Sequence, residues 1–162
     1  MAADTLEERL ADLEARLEKV ESIQVALGAL RAYVDAIDAV DLVALTKVFT
    51  ADAVLDLPGA KLTYTGVDDV VQKFYKNAFT QDPTVKRHFI MNSQPEWLSP
   101  GVVRIPSYFI FVSSGPDKSM LGWGTYLDEI RITDGVAKFQ RKQIIVTRDS
   151  DVRTGWPLEA SK

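Results

Sequence analysis

Residues 29–49 read ALRAYVDAIDAVDLVALTKVF, and the place of one carboxylate in this stretch decides how the chain is read. Leu27, Leu30, Val34 and Ile37 recur at helical spacing and form an apolar stripe. Asp38 follows Val34 by four residues and Leu30 by eight, which puts it on that stripe rather than on the wet side. A carboxylate buried there costs on the order of several kcal/mol unless a partner meets it. The chain offers one natural partner, its only histidine, His88. Tyr33 stands on the same helix, and a five-residue separation turns it about 140° from Asp38, so the two flank a pocket rather than touch.

The 162 residues suit one compact domain with an extension. At 46% hydrophobic and 26% charged the composition is that of an ordinary globular chain, able to bury a real core. A formal charge of −4 gives no basic footprint for nucleic acid. No apolar run is long enough to span a membrane. The N-terminus opens acidic and amphipathic, which argues against a secretory signal and sets the expectation of a cytoplasmic protein. Without cysteine there is no thiol catalysis, thiolate metal site or disulfide, and a single histidine argues against zinc or iron. The chemistry expected is therefore free of metal and cofactor.

Outward from the deciding stretch, residues 4–23 form a charged helix in which Leu6, Leu10, Leu13, Leu17 and Val20 alternate in steps of four and three. That seam fits either a helix packed on its own domain or a short coiled coil between subunits. A second helix is expected over Ser22–Ile37, with Gly28 allowing close packing or a kink. Asp41 caps a third over Leu42–Phe49. Thr50–Asp52 reads as a turn, Ala53–Leu57 and Leu62–Tyr64 as short strands, and Val70–Ala78 as a helix with an aromatic side. Strands follow over Val85–Gln94, Val102–Ser113, Met120–Thr133 and Val136–Thr147, the last two joined by the hairpin signal Asp134-Gly135. Pro106 marks a bulge or an edge position. Helices first and then antiparallel strands give an α+β class, a cone-shaped barrel of helices packed on a curved, mainly antiparallel sheet. Its interior would be an apolar pocket for a hydrophobic small molecule. The division expected is 1–22 as a helical extension, 23–147 as the domain and 148–162 as a C-terminal arm.

The stretch Leu30–Asp38, then Asp41 and residues 45–54 (LTKVFTADAV), resembles the opening of SnoaL-like proteins of the nuclear transport factor 2-like superfamily. Residues 122–129 (GWGTYLDE), Asp134-Gly135 and the last strand resemble the same family. The branch that matches best holds scytalone dehydratase, hexachlorocyclohexane dehydrochlorinase and the bile-acid 7α-dehydratase. The resemblance implies a metal-free lyase with a His–Asp dyad, His88 and Asp38, a tyrosine at Tyr33, and a homotrimer. Where the dehydrochlorinase type has an arginine on the last strand this sequence has Lys142, with Arg141 beside it.

In that chemistry His88 is the general base, Asp38 fixes its tautomer and stabilises the imidazolium, and Tyr33 donates to a substrate oxygen or to the leaving group. Lys142 would stabilise developing negative charge. Phe109, Phe111, Trp123 and Tyr126 are candidates to line the pocket, and point to an apolar, cyclic substrate. The bland alternatives are a structural histidine, an aspartate that only caps a helix and a core tyrosine. Rival functions are an isomerase or cyclase using the same base, a ligand carrier, and a structural subunit like the β-subunit of ring-hydroxylating dioxygenases.

Overall fold

The computed structural model describes residues 5–155. Its first element, α1 (Leu6–Asp38), is a single helix of 33 residues running through both of the helices expected from sequence. Thr5 caps it, accepting from the Glu8 amide at 3.2 Å while the Glu8 carboxylate accepts from the Thr5 amide at 2.7 Å. Gly28 does not serve the close packing expected of it: a Cβ there would meet nothing within 4 Å, and the helix continues past it. Asp41 caps α2 (Leu42–Val48) as expected, its carboxylate taking the Ala44 amide at 2.9 Å.

The expected turn at Thr50–Asp52 is absent, because Phe49 already begins β1 (Phe49–Leu57). A 3₁₀ turn (Pro58–Ala60) leads to β2 (Leu62–Thr65). The next helical stretch has two parts, a π-helical segment (Asp69–Tyr75) and α3 (Lys76–Gln81). There follow β3 (Val85–Met91), β4 (Glu96–Ser99), β5 (Val102–Ser114), β6 (Ser119–Thr133) and β7 (Val136–Asp151). β4 was not legible, since Pro95 reads as the end of a strand and only four residues follow before the next turn. β7 takes in residues 148–151 of the expected C-terminal arm, and residues 156–162 of that arm lie outside the described residues.

The strands form one mixed sheet in the order β2-β1-β7-β6-β5-β3, with β4 paired to β5 beyond the end of β3. Only β1 and β7 run parallel; the β5-β6-β7 meander is antiparallel throughout. Asp134 and Gly135 both take positive φ, 51° and 73°, the conformation a two-residue hairpin requires. Pro106 falls where β5 passes from β4 pairing, last at Arg104, to β3 pairing, first at Tyr108, so its missing N–H breaks no ladder.

The helix face Ala26, Ala29, Leu30, Tyr33, Ala36 and Ile37 is buried against the inner face of the sheet, including Ile105, Phe109, Tyr126, Ile130 and Phe139. This is an α+β fold, a helix laid across a curved open sheet whose edges are β2 and β3. Along β6 the inner positions are Gly122, Gly124, Tyr126, Asp128 and Ile130, all buried. The two glycines make room on the inner face: a Cβ on Gly124 would run into the Ile145 backbone carbonyl and stand 2.8 Å from Phe109 Cε1, and one on Gly122 would run into Phe111.

Gly124→Ala is therefore expected to lower stability by about 1–3 kcal/mol through overpacking. Gly28→Ala, on an open helix surface, should raise it by about 1 kcal/mol. Chemical denaturation of the two variants checks both signs.

Candidate active site

Asp38 is the last residue of α1, at the end of the helix where the macrodipole disfavours a negative charge, and no basic residue occupies the last turn. The chain turns sharply just beyond it, with Val40 at φ 56° and the Asp41 amide donating to the Ala36 carbonyl at 2.9 Å. What holds the carboxylate is His88. Asp38 Oδ2 accepts from the His88 backbone N–H at 3.1 Å, and Oδ1 lies 2.7 Å from His88 Nδ1. The carboxylate thus favours the tautomer with hydrogen on Nδ1, leaving Nε2 as the ring nitrogen with a lone pair.

His88 sits on β3, where Lys86, His88 and Ile90 turn inward and Arg87 and Phe89 outward. Its ring lies 6.0 Å from that of Phe111, its cross-strand partner. Burial lowers the His88 pKa below the ordinary histidine value. Asp38 pulls it back up, while the charges of Lys142 and Lys86 push it down. The imidazole is therefore neutral at neutral pH.

A cavity of about 450 Å³ opens beside this ring. Tyr33, Tyr126, Phe109 and Phe111, all candidates from the sequence, line it, and Asp38 stands behind His88, outside the lining. Ile37, Ile144 and Val146 add aliphatic wall, and Phe74, Tyr75 and Phe79 close one side. The aromatic side of that helical stretch, visible in the sequence, serves here as cavity wall. Asp82, Lys86 and Lys118 form a polar rim that sequence reasoning missed; Lys86 Nζ is 3.3 Å and Lys118 Nζ 3.9 Å from the Asp82 carboxylate.

The Tyr75 hydroxyl donates to that of Tyr33 at 3.0 Å, and Tyr126 interacts with Tyr33 through its hydroxyl as well. Burial, reinforced by neighbouring phenols and by Asp128, raises all three tyrosines well above the ordinary value, so they remain protonated donors. Tyr126 also stacks on Phe109, with ring centroids 4.2 Å apart.

Two expected pocket residues are not brought to the cavity. Trp123 lies between the inward glycines of β6, so alternation turns it to the other face, where it is 38% exposed. Lys142 turns inward but is sealed beneath the lining, 0% exposed. Its Nζ is 3.1 Å from both carboxylate oxygens of Asp128, which is likewise 0% exposed. The ammonium also lies 3.6 Å from the ring centroid of Tyr126 and 4.0 Å from that of Tyr33. Burial pushes Asp128 up to about 6 despite the lysine, and pulls Lys142 down. The same-side spacing of Asp128 with Tyr126 and Ile130 was the signal that could have found it. Arg141 faces outward to Asp56, because the pairing of β6 with β7 shifts by one residue between Glu129 and Ile130. Arg104 pairs with Glu129 on the outer side, away from Asp128. Among the described residues no three His, Asp or Glu side chains cluster so as to hold a metal ion.

A family model for the SnoaL-like domain matches residues 15–143. The chain belongs to the SnoaL-like family. No curated protein matches its sequence. Among solved structures, this SnoaL-like chain is similar to a type 2 hexachlorocyclohexane dehydrochlorinase, at 18% identity and TM-score 0.74, over 85% of this chain and 93% of that one. It is similar to a candidate aromatic ring hydroxylase from Novosphingobium aromaticivorans, at 26% identity and TM-score 0.71, over 83% and 96% of the two chains. A candidate scytalone dehydratase from the same organism matches at 17% identity and TM-score 0.71, over 89% and 93%. Among the described residues no helix is long and apolar enough to cross a membrane.

NMR titration of the single histidine is expected to give a pKa below 6.5, falling by about a further unit in Asp38→Asn, because the group that favours the charged ring is lost. Lys142→Met should cost about 3–5 kcal/mol by stranding Asp128, and the double variant Lys142→Met/Asp128→Leu should recover most of that in denaturation measurements.

Proposed function

We propose that this SnoaL-like protein is a cofactor-independent lyase that eliminates water or halide from a hydrophobic cyclic compound. The observation that carries the reading is the pairing of His88 Nδ1 with Asp38 at 2.7 Å, on the wall of an aromatic cavity. In this mechanism Nε2 of the neutral ring takes a proton from a carbon next to an activating group. The C–H electron pair forms the new double bond, and the bond to the leaving group breaks. Asp38 stabilises the imidazolium formed, and the proton then departs with the leaving hydroxide as water, or separately from a halide. The Tyr33 hydroxyl, which accepts from Tyr75, donates to the substrate oxygen on which negative charge collects or to the leaving group. Lys142 acts from beneath, its charge adding to burial in favouring the neutral base. The family resemblance supports a homotrimer as the working form, and a cytoplasmic setting accords with the sequence reading.

The cavity of about 450 Å³ suits one ring system with few polar groups. The test is a panel of hydroxylated and halogenated ring compounds, scored for alkene products by mass spectrometry. With a substrate in hand, His88→Ala should lower kcat/KM by roughly 10²–10⁴-fold. The wild-type profile should rise with pH as His88 loses its proton, with the limb below pH 6.5, and Asp38→Asn should move that limb lower. A product of unchanged mass would replace elimination by isomerisation or cyclisation. Tight ligand binding that survives His88→Ala, with no turnover by the wild type, would sink the enzyme reading in favour of a carrier.

A further inference from the structure

The N-terminal half of α1 makes no use of its apolar side. Leu6, Leu10, Leu13, Leu17 and Val20 are between 55 and 81% exposed. At 100° per residue these five point about 180° away from Ser22, Ala26, Ala29 and Tyr33, the face that packs on the sheet. Packing on the chain's own domain, one of the two readings open from sequence, is therefore ruled out by direction as well as by exposure.

The steps of four and three fix the heptad: Leu6, Leu13 and Val20 are d positions, Leu10 and Leu17 are a positions. The flanking charges then fall into a strict pattern. The e positions are Glu7, Glu14 and Glu21, and the first two g positions are Arg9 and Arg16. In a parallel, in-register coiled coil each g residue meets the e residue of the next heptad on the partner, so Arg9 meets Glu14 and Arg16 meets Glu21 of a second copy. In an antiparallel pairing g meets g and e meets e, which sets arginine against arginine and glutamate against glutamate. Arg16 is not committed elsewhere within its helix, since its contact with Asp12 is 3.6 Å long and fully solvated on both sides.

We propose that α1 joins copies of this chain through a parallel, in-register coiled coil along this seam. The occupant is another copy of this chain because the charge pattern is self-complementary in that one orientation, in a three-stranded parallel coil as in a two-stranded one. The seam lies opposite the sheet-packed face, so the domains stand outside the coil and the cavities stay open. This inference is independent of the lyase reading.

The chain contains no cysteine, so single-cysteine variants report geometry without interference. Full-length Leu6→Cys, Val20→Cys and the off-seam control Ala15→Cys are oxidised mildly at micromolar concentration and run on non-reducing gels. A held pair has a millimolar effective concentration, so Leu6→Cys and Val20→Cys should each link to themselves at least about tenfold faster than Ala15→Cys. Equal rates for the three variants, linkage of only one seam variant, or linkage only when Leu6→Cys and Val20→Cys are mixed would each overturn the proposal.

Discussion

Both oxygens of one carboxylate are spent on one residue: Asp38 accepts from the His88 backbone N–H and pairs with its Nδ1. This contact ties the C-terminal end of α1 to β3, an edge strand, and so closes the helix over the open side of the sheet. Neither group is at ease without the other. The carboxylate sits at the negative end of a helix dipole, and burial depresses the imidazole. Together they fix the ring's tautomer and its tilt against Phe111, and hold it at the wall of the cavity.

The floor of the cavity is set by a second pair. Asp128 and Lys142 are direct cross-strand partners, both sealed from solvent, with the ammonium among the rings of Tyr33, Tyr126 and Phe139. Such a pair is weak evidence for stability, since each charge must be stripped of water. Its effect is instead on what lies above. The lysine charge reaches His88 and favours its neutral form, and the aspartate helps keep the tyrosines protonated. Burial is the larger cause in both cases, and the buried pair adds to it, favouring an imidazole without its extra proton and phenols that keep theirs.

The long helix divides its work by length and by side. From Ser22 onward its small and aromatic residues settle on the sheet, where alanines let the backbone approach and Tyr33 fills the space above Phe139. Before Ser22 the same helix carries leucines on the opposite side, and nothing among the described residues packs on them. A capping box at Thr5 fixes its start independently of any partner.

Local signals in the sequence determined the class of fold, the three-strand meander, the caps at Asp41 and the turn at Asp134-Gly135, because spacing, capping and turn chemistry act over a few residues. They also singled out Asp38 as a carboxylate in need of a partner and His88, the single histidine, as a candidate for it, a pairing the family resemblance also implied; the contact itself spans 50 residues and belongs to the tertiary structure. Only the tertiary structure decided which way the side chains of β6 and β7 face. A one-residue shift in strand pairing sends Arg141 outward and Lys142 inward, and glycine on either side of Trp123 gives the inner face to Phe109 and Phe111. Strand β4, the tyrosine hydroxyl cluster and the rim of Asp82, Lys86 and Lys118 likewise arise where distant segments meet. Register and alternation are settled by long-range pairing, which no window of neighbouring residues contains.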